Sequence, residues 1–130
     1  VIICADIEDQ IMGLDKEERE TFMKEIGLNK TGLNKLIREG YDLLNLDTYF
    51  TSGPEESRAW TVKKNTLAPR AAAVIHTDFE KNFIRAEAVS CNDFIKYGSS
   101  EKCKENGKLR IEGKDYVVKD GDVLFFRVNP

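Results

Sequence analysis

The spacing of the apolar residues changes near residue 45, and this change divides the chain into two parts that have to fold differently. After it, segments such as DTYFT and RAWTV alternate with a period near two, which predicts strands. Before it, apolar side chains recur every three or four residues, which is typical of amphipathic helices. The clearest stripe consists of Leu33, Leu36, Ile37, Tyr41 and Leu44. The sequence therefore predicts a helical segment over residues 1–45 and a second, strand-containing part over residues 46–130.

Capping residues mark the helices of the first part. Asp15, with Glu18 three residues later, forms a capping-box pattern, and Thr31 can cap the next helix. Gly27 suits the left-handed position that follows a helix. Ahead of these helices, the opening VIIC is a short apolar run that is typical of a buried strand. Because this part offers no partner strand, we expect the rest of that sheet to lie in preceding residues of a longer protein.

The second part combines strands with one main helix. DTYFT and RAWTV are joined by the turn-rich SGPEES and predict a hairpin. Pro69 suits the first turn of a helix that continues through residues 71–75. Further strands are predicted at FIRAEAV, DYVV and DVLFFRV, with short helical pieces at DFIKY and SEKCKEN. One helix packed across four main strands predicts an α+β fold of the β-grasp (ubiquitin-like) type.

The composition excludes several classes of protein. The chain of 130 residues has one histidine and three cysteines, which are widely separated, so no metal site is predicted. No stretch approaches the roughly 20 apolar residues needed to span a bilayer, and the cysteine pattern predicts a reduced, cytoplasmic protein without a membrane partner. Cys103 lies between two lysines and is the best candidate for a reactive thiol, although an inert thiol is favoured. The chain has no GxxxxGK[ST] phosphate loop, so we expect it to bind no nucleotide cofactor by itself.

The segment HTDFEKNF, residues 76–83, leaves two interpretations open. In the catalytic interpretation, His76 is a base that Asp78 orients, but the spacing places no third partner. In the structural interpretation, a helix ends near His76, and Thr77 and Asp78 cap the turn that follows. The structural interpretation is favoured, and no catalytic residue is predicted.

Longer motifs resemble one family over essentially the whole chain. RAWTVKKNTLAPRAAAVIHTDFEKNFIRAE and the later GKDYVVKDGDVLFFRV are similar to the TGS domain that ends YchF-type, Obg-like ATPases. AWT and HTDFEKxF are the most specific of these motifs. CADIEDQIMGLDKEERETFMKEIGL resembles the last strand and closing helices of that family's nucleotide-binding domain. Where the family usually has glycine, this chain has Asn65 and Asn82, and we expect a positive φ at both.

The resemblance implies a function for the longer protein and a division of labour within it. Residues 1–45 would end the nucleotide-binding domain, and residues 46–130 would be the TGS domain. The parent protein would bind and hydrolyse ATP (or GTP) with Mg²⁺, and it would associate with ribosomes or RNA. Cys4, Ala5 and Asp6 match the loop that flanks the nucleotide base in this family, where the loop contributes mainly backbone groups.

Alternation along the strands predicts which surface would meet RNA. In RAWTVK, Trp60 and Val62 look like core residues, and in FIRAEAV the side chains suited to the face beneath the helix are Ile84, Ala86 and Ala88. The opposite face would then carry Lys63, Arg85, Phe125 and Arg127. An aromatic ring among cations can stack on bases and neutralise phosphates, so these four residues are the predicted nucleic-acid or ribosome-binding residues.

Three functional hypotheses follow from these patterns. In the leading one, the second part is a non-catalytic module that docks an ATPase on the ribosome or on RNA and regulates it. In the alternative, the same part packs on the missing nucleotide-binding domain and regulates it without direct RNA contact. An independent small enzyme built around His76 is the third and the least supported, because the sequence offers only two members of a catalytic triad.

Overall fold

Three helices make up residues 1–44, the first of two units into which the chain divides. The computed structural model describes residues 1–130. The helices of the first unit are α1 (Ala5–Met12), α2 (Lys16–Glu25) and α3 (Gly32–Leu43). The division between the units falls where the apolar spacing changes in the sequence.

The predicted caps of the first unit are confirmed. The Asp15 carboxylate accepts the Glu18 N–H at 2.9 Å, and the Glu18 carboxylate accepts the Asp15 N–H at 3.2 Å, which completes the capping box. Thr31 Oγ1 accepts the N–H of Asn34 at 3.2 Å at the start of α3. Gly27 follows the end of α2 with a φ of 74°. Local hydrogen bonds of this kind define the helix ends independently of the rest of the fold.

The strand expected at Val1–Cys4 is absent, so that prediction is wrong for this structure. These residues have no regular secondary structure and are exposed, and Ile2 is 98% accessible. A strand forms only where a neighbouring strand pairs with its N–H and C=O groups, and the first unit contains only helices. The apolar stripe of α3 is also exposed, with Leu33, Leu36 and Ile37 at least 50% accessible.

The second unit, residues 45–130, is a five-stranded sheet with helices. The strands are β1 (Leu46–Ser52), β2 (Ser57–Lys63), β3 (Phe83–Ser90), β4 (Arg110–Glu112) and β5 (Asp122–Val128). The helices are α4 (Ala68–Ile75), α5 (Asp78–Lys81), α6 (Cys91–Tyr97) and α7 (Ser100–Glu105). The strand order is β2-β1-β5-β3-β4, with β1 and β5 parallel and all other pairs antiparallel. The predicted α+β class is confirmed, and this order is consistent with a β-grasp sheet.

The core of the second unit lies between α4 and one face of the sheet. The buried residues that pack together there are Tyr49, Val62, Ala71, Ala88, Val118 and Leu124, with Trp60 partly buried against them. Alanines on the buried side of α4 allow the helix to lie close to the strands, because they add little side-chain volume. The Tyr49 hydroxyl donates to the Ala71 carbonyl at 2.9 Å, and burial raises the pKa of Tyr49 well above its usual value.

Two details of the strand predictions are wrong. Ile84, expected beneath the helix, is 52% exposed, whereas Phe83 is buried, because the pairing of β3 with β5 shifts between Phe83 and Arg85 and breaks the alternation there. DYVV forms no strand: Val117 makes a single bridge with Leu67, where α4 begins, so the pairing ends after one residue. The strand that pairs with the outer side of β3 is instead β4.

The two asparagines at glycine positions behave differently. Asn65 has a φ of 64°, which confirms the prediction, but Asn82 has a φ of −95°, so the prediction is wrong there. Asn82 ends α5 with its N–H bonded to the Asp78 carbonyl, a continuation of right-handed geometry. Asn45 also has a positive φ, of 56°.

Replacing Asn65 by valine should lower the free energy of unfolding by about 1–2 kcal/mol, because a β-branched residue is strained in the left-handed region. Asn65→Gly should be neutral or slightly stabilising. Asn82→Val is the matched control and should change stability by less than about 0.5 kcal/mol. Urea unfolding followed by the fluorescence of Trp60, the only tryptophan, measures all three. Equal losses at the two positions would contradict the conformational explanation.

A candidate nucleic-acid interface on the open face of the sheet

The surface of the sheet opposite α4 is called the open face, and it carries Lys63, Arg85, Glu87, Phe125 and Arg127. Its residues alternate along each strand with core residues: Lys63 follows buried Val62, and Phe125 follows buried Leu124. Side chains of successive strand residues point to opposite faces, so the core positions assign these residues to the open face. The four predicted nucleic-acid-binding residues therefore lie on one face of the sheet.

Two of the predicted cations face each other directly. Arg85 on β3 and Arg127 on β5 are cross-strand partners, and their side chains are 47% and 59% exposed. Both contact the carboxylate of Glu87: Arg127 Nη2 lies 3.3 Å from Glu87 Oε2, and Arg85 Nη2 lies 3.7 Å from Glu87 Oε1. Like charges that are directly opposite repel each other, and the intervening carboxylate offsets that repulsion.

Phe125 lies beside this charged group and is partly covered. It is the cross-strand partner of Glu87. The ring of Phe94 from α6 packs against it, with ring centroids 6.4 Å apart. The end of the open face nearer to α6 is therefore covered, since Val89 and Val123 are also buried. The end that carries Arg85 and Arg127 is accessible.

Lys63 lies far from the two arginines, although it is on the same face. It pairs with Leu46, which precedes Phe50 by four residues, and Phe50 pairs in parallel with Val123. Arg127 follows Val123 by four residues in the same strand direction. At roughly 3.3 Å per residue, Lys63 and Arg127 are about 26 Å apart along the strands. The structure therefore brings together Arg85, Phe125 and Arg127 but not Lys63.

His76 is exposed and fixed by its own turn. Its Nδ1 accepts the N–H of Asp78 at 3.2 Å, and its ring lies 5.6 Å from that of Phe79. α4 ends at Ile75, as predicted, but Thr77 makes no side-chain capping bond. The imidazole of His76 therefore accepts the backbone N–H of this turn. The sequence predicts that the side chains of Thr77 and Asp78 do this instead.

The residues predicted to flank a nucleotide base lie at the start of α1. Cys4 is the N-cap residue, and Ala5 and Asp6 begin the helix. The Asp6 carboxylate accepts a hydrogen bond from the Gln10 side chain at 3.0 Å, so it is held along its own helix. The segment offers backbone groups and an exposed thiol.

Metal and membrane sites are not suggested by the geometry. No group of three or more His, Cys, Asp or Glu residues is placed to hold a metal ion. No helix is both long and apolar enough to cross a bilayer.

Cys103, the best sequence candidate for a reactive thiol, is fully buried. Burial and the charge of Asp93 raise the pKa of its thiol. A raised pKa disfavours the reactive thiolate.

A buried polar network that the sequence did not predict lies at the start of β5. Asp122 is 3% exposed, and its Oδ2 accepts the Tyr116 hydroxyl at 2.6 Å and the Lys119 N–H at 3.0 Å. Arg110 Nη2 lies 3.6 Å from Asp122 Oδ1. Burial and the hydrogen bond to Asp122 raise the pKa of Tyr116 to about 12. All of its members have partners, which indicates a structural role for the network.

Comparison with known families decides the affiliation of the chain. The family model YchF-GTPase_C, described as "Protein of unknown function (DUF933)", matches residues 46–129. The chain belongs to the YchF family. The resemblance predicted from AWT and HTDFEKxF is thus confirmed, and the match covers nearly the whole sheet-containing unit.

Individual members of the YchF family match the first unit as well. The chain is 57% identical to "Ribosome-binding ATPase YchF" of Haemophilus influenzae over 129 residues, which is 99% of this chain and 36% of the relative. It is 46% identical to "Obg-like ATPase 1" of Caenorhabditis elegans over 122 residues, which is 94% of this chain and 31% of that protein. The chain thus spans about a third of the length of these relatives.

A solved structure of a YchF protein has the same fold over the same region. The structure of the Schizosaccharomyces pombe YchF GTPase matches with a TM-score of 0.76 and 38% sequence identity. The match covers 96% of this chain and 33% of the yeast protein. Both units of the chain therefore have counterparts in a YchF protein.

Proposed function

We propose that residues 46–130 are a TGS domain that docks a cytoplasmic YchF protein on the ribosome or its RNA and has no catalytic role of its own. The observation that carries this proposal is the pair of exposed arginines, Arg85 and Arg127, beside Phe125 on the open face. Guanidinium groups bind phosphate with paired hydrogen bonds, and an aromatic ring can stack on a base. The printed names of bacterial relatives as ribosome-binding ATPases support the choice of partner.

We also propose that residues 1–45 end a nucleotide-binding domain, and that the longer protein hydrolyses ATP or GTP with Mg²⁺. Support comes from relatives named ATPase or GTPase that are about three times as long as this chain. The exposed apolar stripe of α3 fits a helix that belongs to a larger domain. Cys4, Ala5 and Asp6 would flank the base, and the residues that hold the phosphates and the metal would lie outside this chain.

One observation favours the intramolecular alternative, in which the open face packs on the nucleotide-binding domain. Ile84 and Ile111 on β3 and β4 are 52% and 66% exposed. Ile111 is the cross-strand partner of Glu87 and so lies on the open face. Exposed isoleucines beside a charged group suit packing against another protein surface, because the centre of such an interface is apolar. In this alternative the arginines would not affect RNA binding by the isolated chain.

Changing Arg85 and Arg127 together to alanine should weaken binding to a labelled single-stranded RNA of about 12 nucleotides and to purified ribosomes. Each phosphate contact contributes about −0.7 to the slope of log K against log salt for single strands, so the two arginines account for a slope of up to about −1.4. Most of that slope should disappear in the double variant. Fluorescence anisotropy over a range of salt concentrations measures both the affinity and the slope for the RNA.

Two controls separate this site from a general charge effect. Arg70 and Lys81 lie on α4 and α5, away from the open face, and changing both to alanine removes the same number of charges. Lys63→Ala tests the distant end of the open face, and the separation along the strands predicts a smaller effect than that of the double variant. A folded Arg85/Arg127 variant with unchanged affinity for both RNA and ribosomes would rule out docking through this end of the sheet.

A further inference from the structure

Glu87 is the innermost member of the charged group on the open face. Its Oε1 lies 3.4 Å from Arg127 Nε, and its Oε2 lies 3.3 Å from Arg127 Nη2, a paired contact that engages both carboxylate oxygens. The side chain of Glu87 is only 16% exposed, whereas those of Arg85 and Arg127 are 47% and 59% exposed. The carboxylate therefore lies beneath two guanidinium groups that face the solvent.

The neighbours of Glu87 hold it in this position. Phe125 on β5 and Ile111 on β4 are its cross-strand partners, so apolar side chains flank its stem on both sides. A carboxylate with apolar flanks depends on its cations for polar contacts. The arginines are not equally dependent, because much of each side chain is in contact with water.

We propose that Glu87 competes with RNA phosphate for Arg85 and Arg127 and thereby sets how tightly the open face binds RNA. This proposal rests on the proposed docking function. A carboxylate and a phosphate use the same paired N–H groups of a guanidinium. In the free protein Glu87 occupies those groups on Arg127. An incoming phosphate has to displace the carboxylate or share the arginine with it, and it meets the negative charge of Glu87 at close range.

The exchange is feasible because the two arginines are accessible on the solvent side of the carboxylate. Their side chains are 47% and 59% exposed, so a phosphate can reach them. Turning them towards a phosphate leaves the Glu87 carboxylate between Phe125 and Ile111 without its cations, and this cost opposes phosphate binding. Without Glu87, the directly opposed Arg85 and Arg127 would repel each other, and a bound phosphate would relieve that repulsion. Both effects predict that neutralising Glu87 strengthens RNA binding.

The test is the change Glu87→Gln, measured with the same single-stranded RNA of about 12 nucleotides. Glutamine keeps the length and shape of the side chain and removes its charge. We expect the Kd for RNA to fall about three- to tenfold near 0.1 M salt, and the gain to shrink as added salt screens the charges. A second neutral variant, Glu87→Met, should behave in the same way, because it removes both the charge and the hydrogen bonds that glutamine can retain.

Glu112→Gln is the matched control. Glu112 lies on β4 opposite Ala86, a core residue, so its side chain is on the α4 side of the sheet, where it pairs with Arg110 at 3.4 Å. The same loss of charge there should leave the Kd for RNA within twofold. A similar gain in both variants would show a general charge effect and would overturn the proposal.

The outcomes distinguish this inference from the docking proposal. If Glu87→Gln and Glu87→Met leave RNA affinity unchanged or weaken it while the Arg85/Arg127 variant loses affinity, the docking site stands and Glu87 is not a competitor. If the Arg85/Arg127 variant binds RNA as the wild type does, the docking site fails and the competition fails with it. Trp60 fluorescence confirms in each case that the variant is folded.

Discussion

Leu124→Ala should lower the free energy of unfolding of the sheet-containing unit by about 3–5 kcal/mol. Leu124 lies on the central strand β5, is 0% exposed, and packs in the core cluster with Tyr49, Ala71 and Ala88. Truncation of a buried leucine costs the lost burial of its side chain and the cavity that remains, about 2–5 kcal/mol in total. The upper part of that range applies because Leu124 is fully buried within this cluster, so its truncation leaves a cavity in the core.

Urea unfolding monitored by Trp60 fluorescence tests this expectation, since Trp60 packs against the same core cluster. A loss of this size would lower the thermal midpoint by roughly 12 °C or more, at about 4 °C per kcal/mol for a domain of this length. Ile84→Ala is the control, because Ile84 is 52% exposed and its truncation should cost less than about 1 kcal/mol. A Leu124→Ala loss no larger than the Ile84→Ala loss would contradict the placement of the core.

Asp122→Ala should cost about 2–4 kcal/mol. The change removes the acceptor of the Tyr116 hydroxyl at 2.6 Å and of the Lys119 N–H at 3.0 Å. Each hydrogen bond to a charged group contributes about 1.5–3 kcal/mol, and the partly buried donors lose their partner. The ion pair with Arg110 adds little, because 40% of the Arg110 side chain is exposed and solvent screens the pair.

Two further variants sharpen the Asp122 test. Asp122→Asn can place its amide oxygen where Oδ2 lies and accept both hydrogen bonds, while its NH₂ group faces Arg110, so its loss of stability should be smaller than that of alanine. Asp115→Ala changes an aspartate in a nearby exposed turn and should alter the free energy of unfolding by less than about 0.5 kcal/mol. Equal stability of the Asp122 and Asp115 variants in urea unfolding would show that the buried network does not stabilise the fold.

Features set by local chemistry could be predicted from the sequence. The capping box of Asp15 and Glu18 and the helix start at Pro69 depend on residues within one helical turn, and both are present. The period of two along β5 likewise assigned Phe125 and Arg127 to one face of the sheet. Such signals are readable because the interacting groups are close together in the chain.

Features that depend on distant pairing could not be predicted. Alternation gives the face on which Lys63 lies but not its position along the sheet, which the register of β2 with β1 and of β1 with β5 decides. Alternation puts Ile84 on the wrong face, because an irregularity in the pairing of β3 with β5 interrupts the period of two there. The contact of Glu87 with Arg127 joins residues 40 positions apart, so only the structure shows that the predicted cations are already paired.

The parallel pairing of β1 with β5 has a consequence for the order in which the unit folds during its own synthesis. Phe50 pairs with Val123, so the strand at the centre of the sheet emerges from the ribosome after all the others. Until residues 122–128 have emerged, the β1 edge of the hairpin of β1 and β2 has no partner strand. The core side chains of the hairpin also lack their packing against Leu124. Pairing across so long a loop is slow, and an open strand edge invites association with other chains. Nascent chains halted before β5 should therefore depend on chaperones, whereas those released after it can close the sheet.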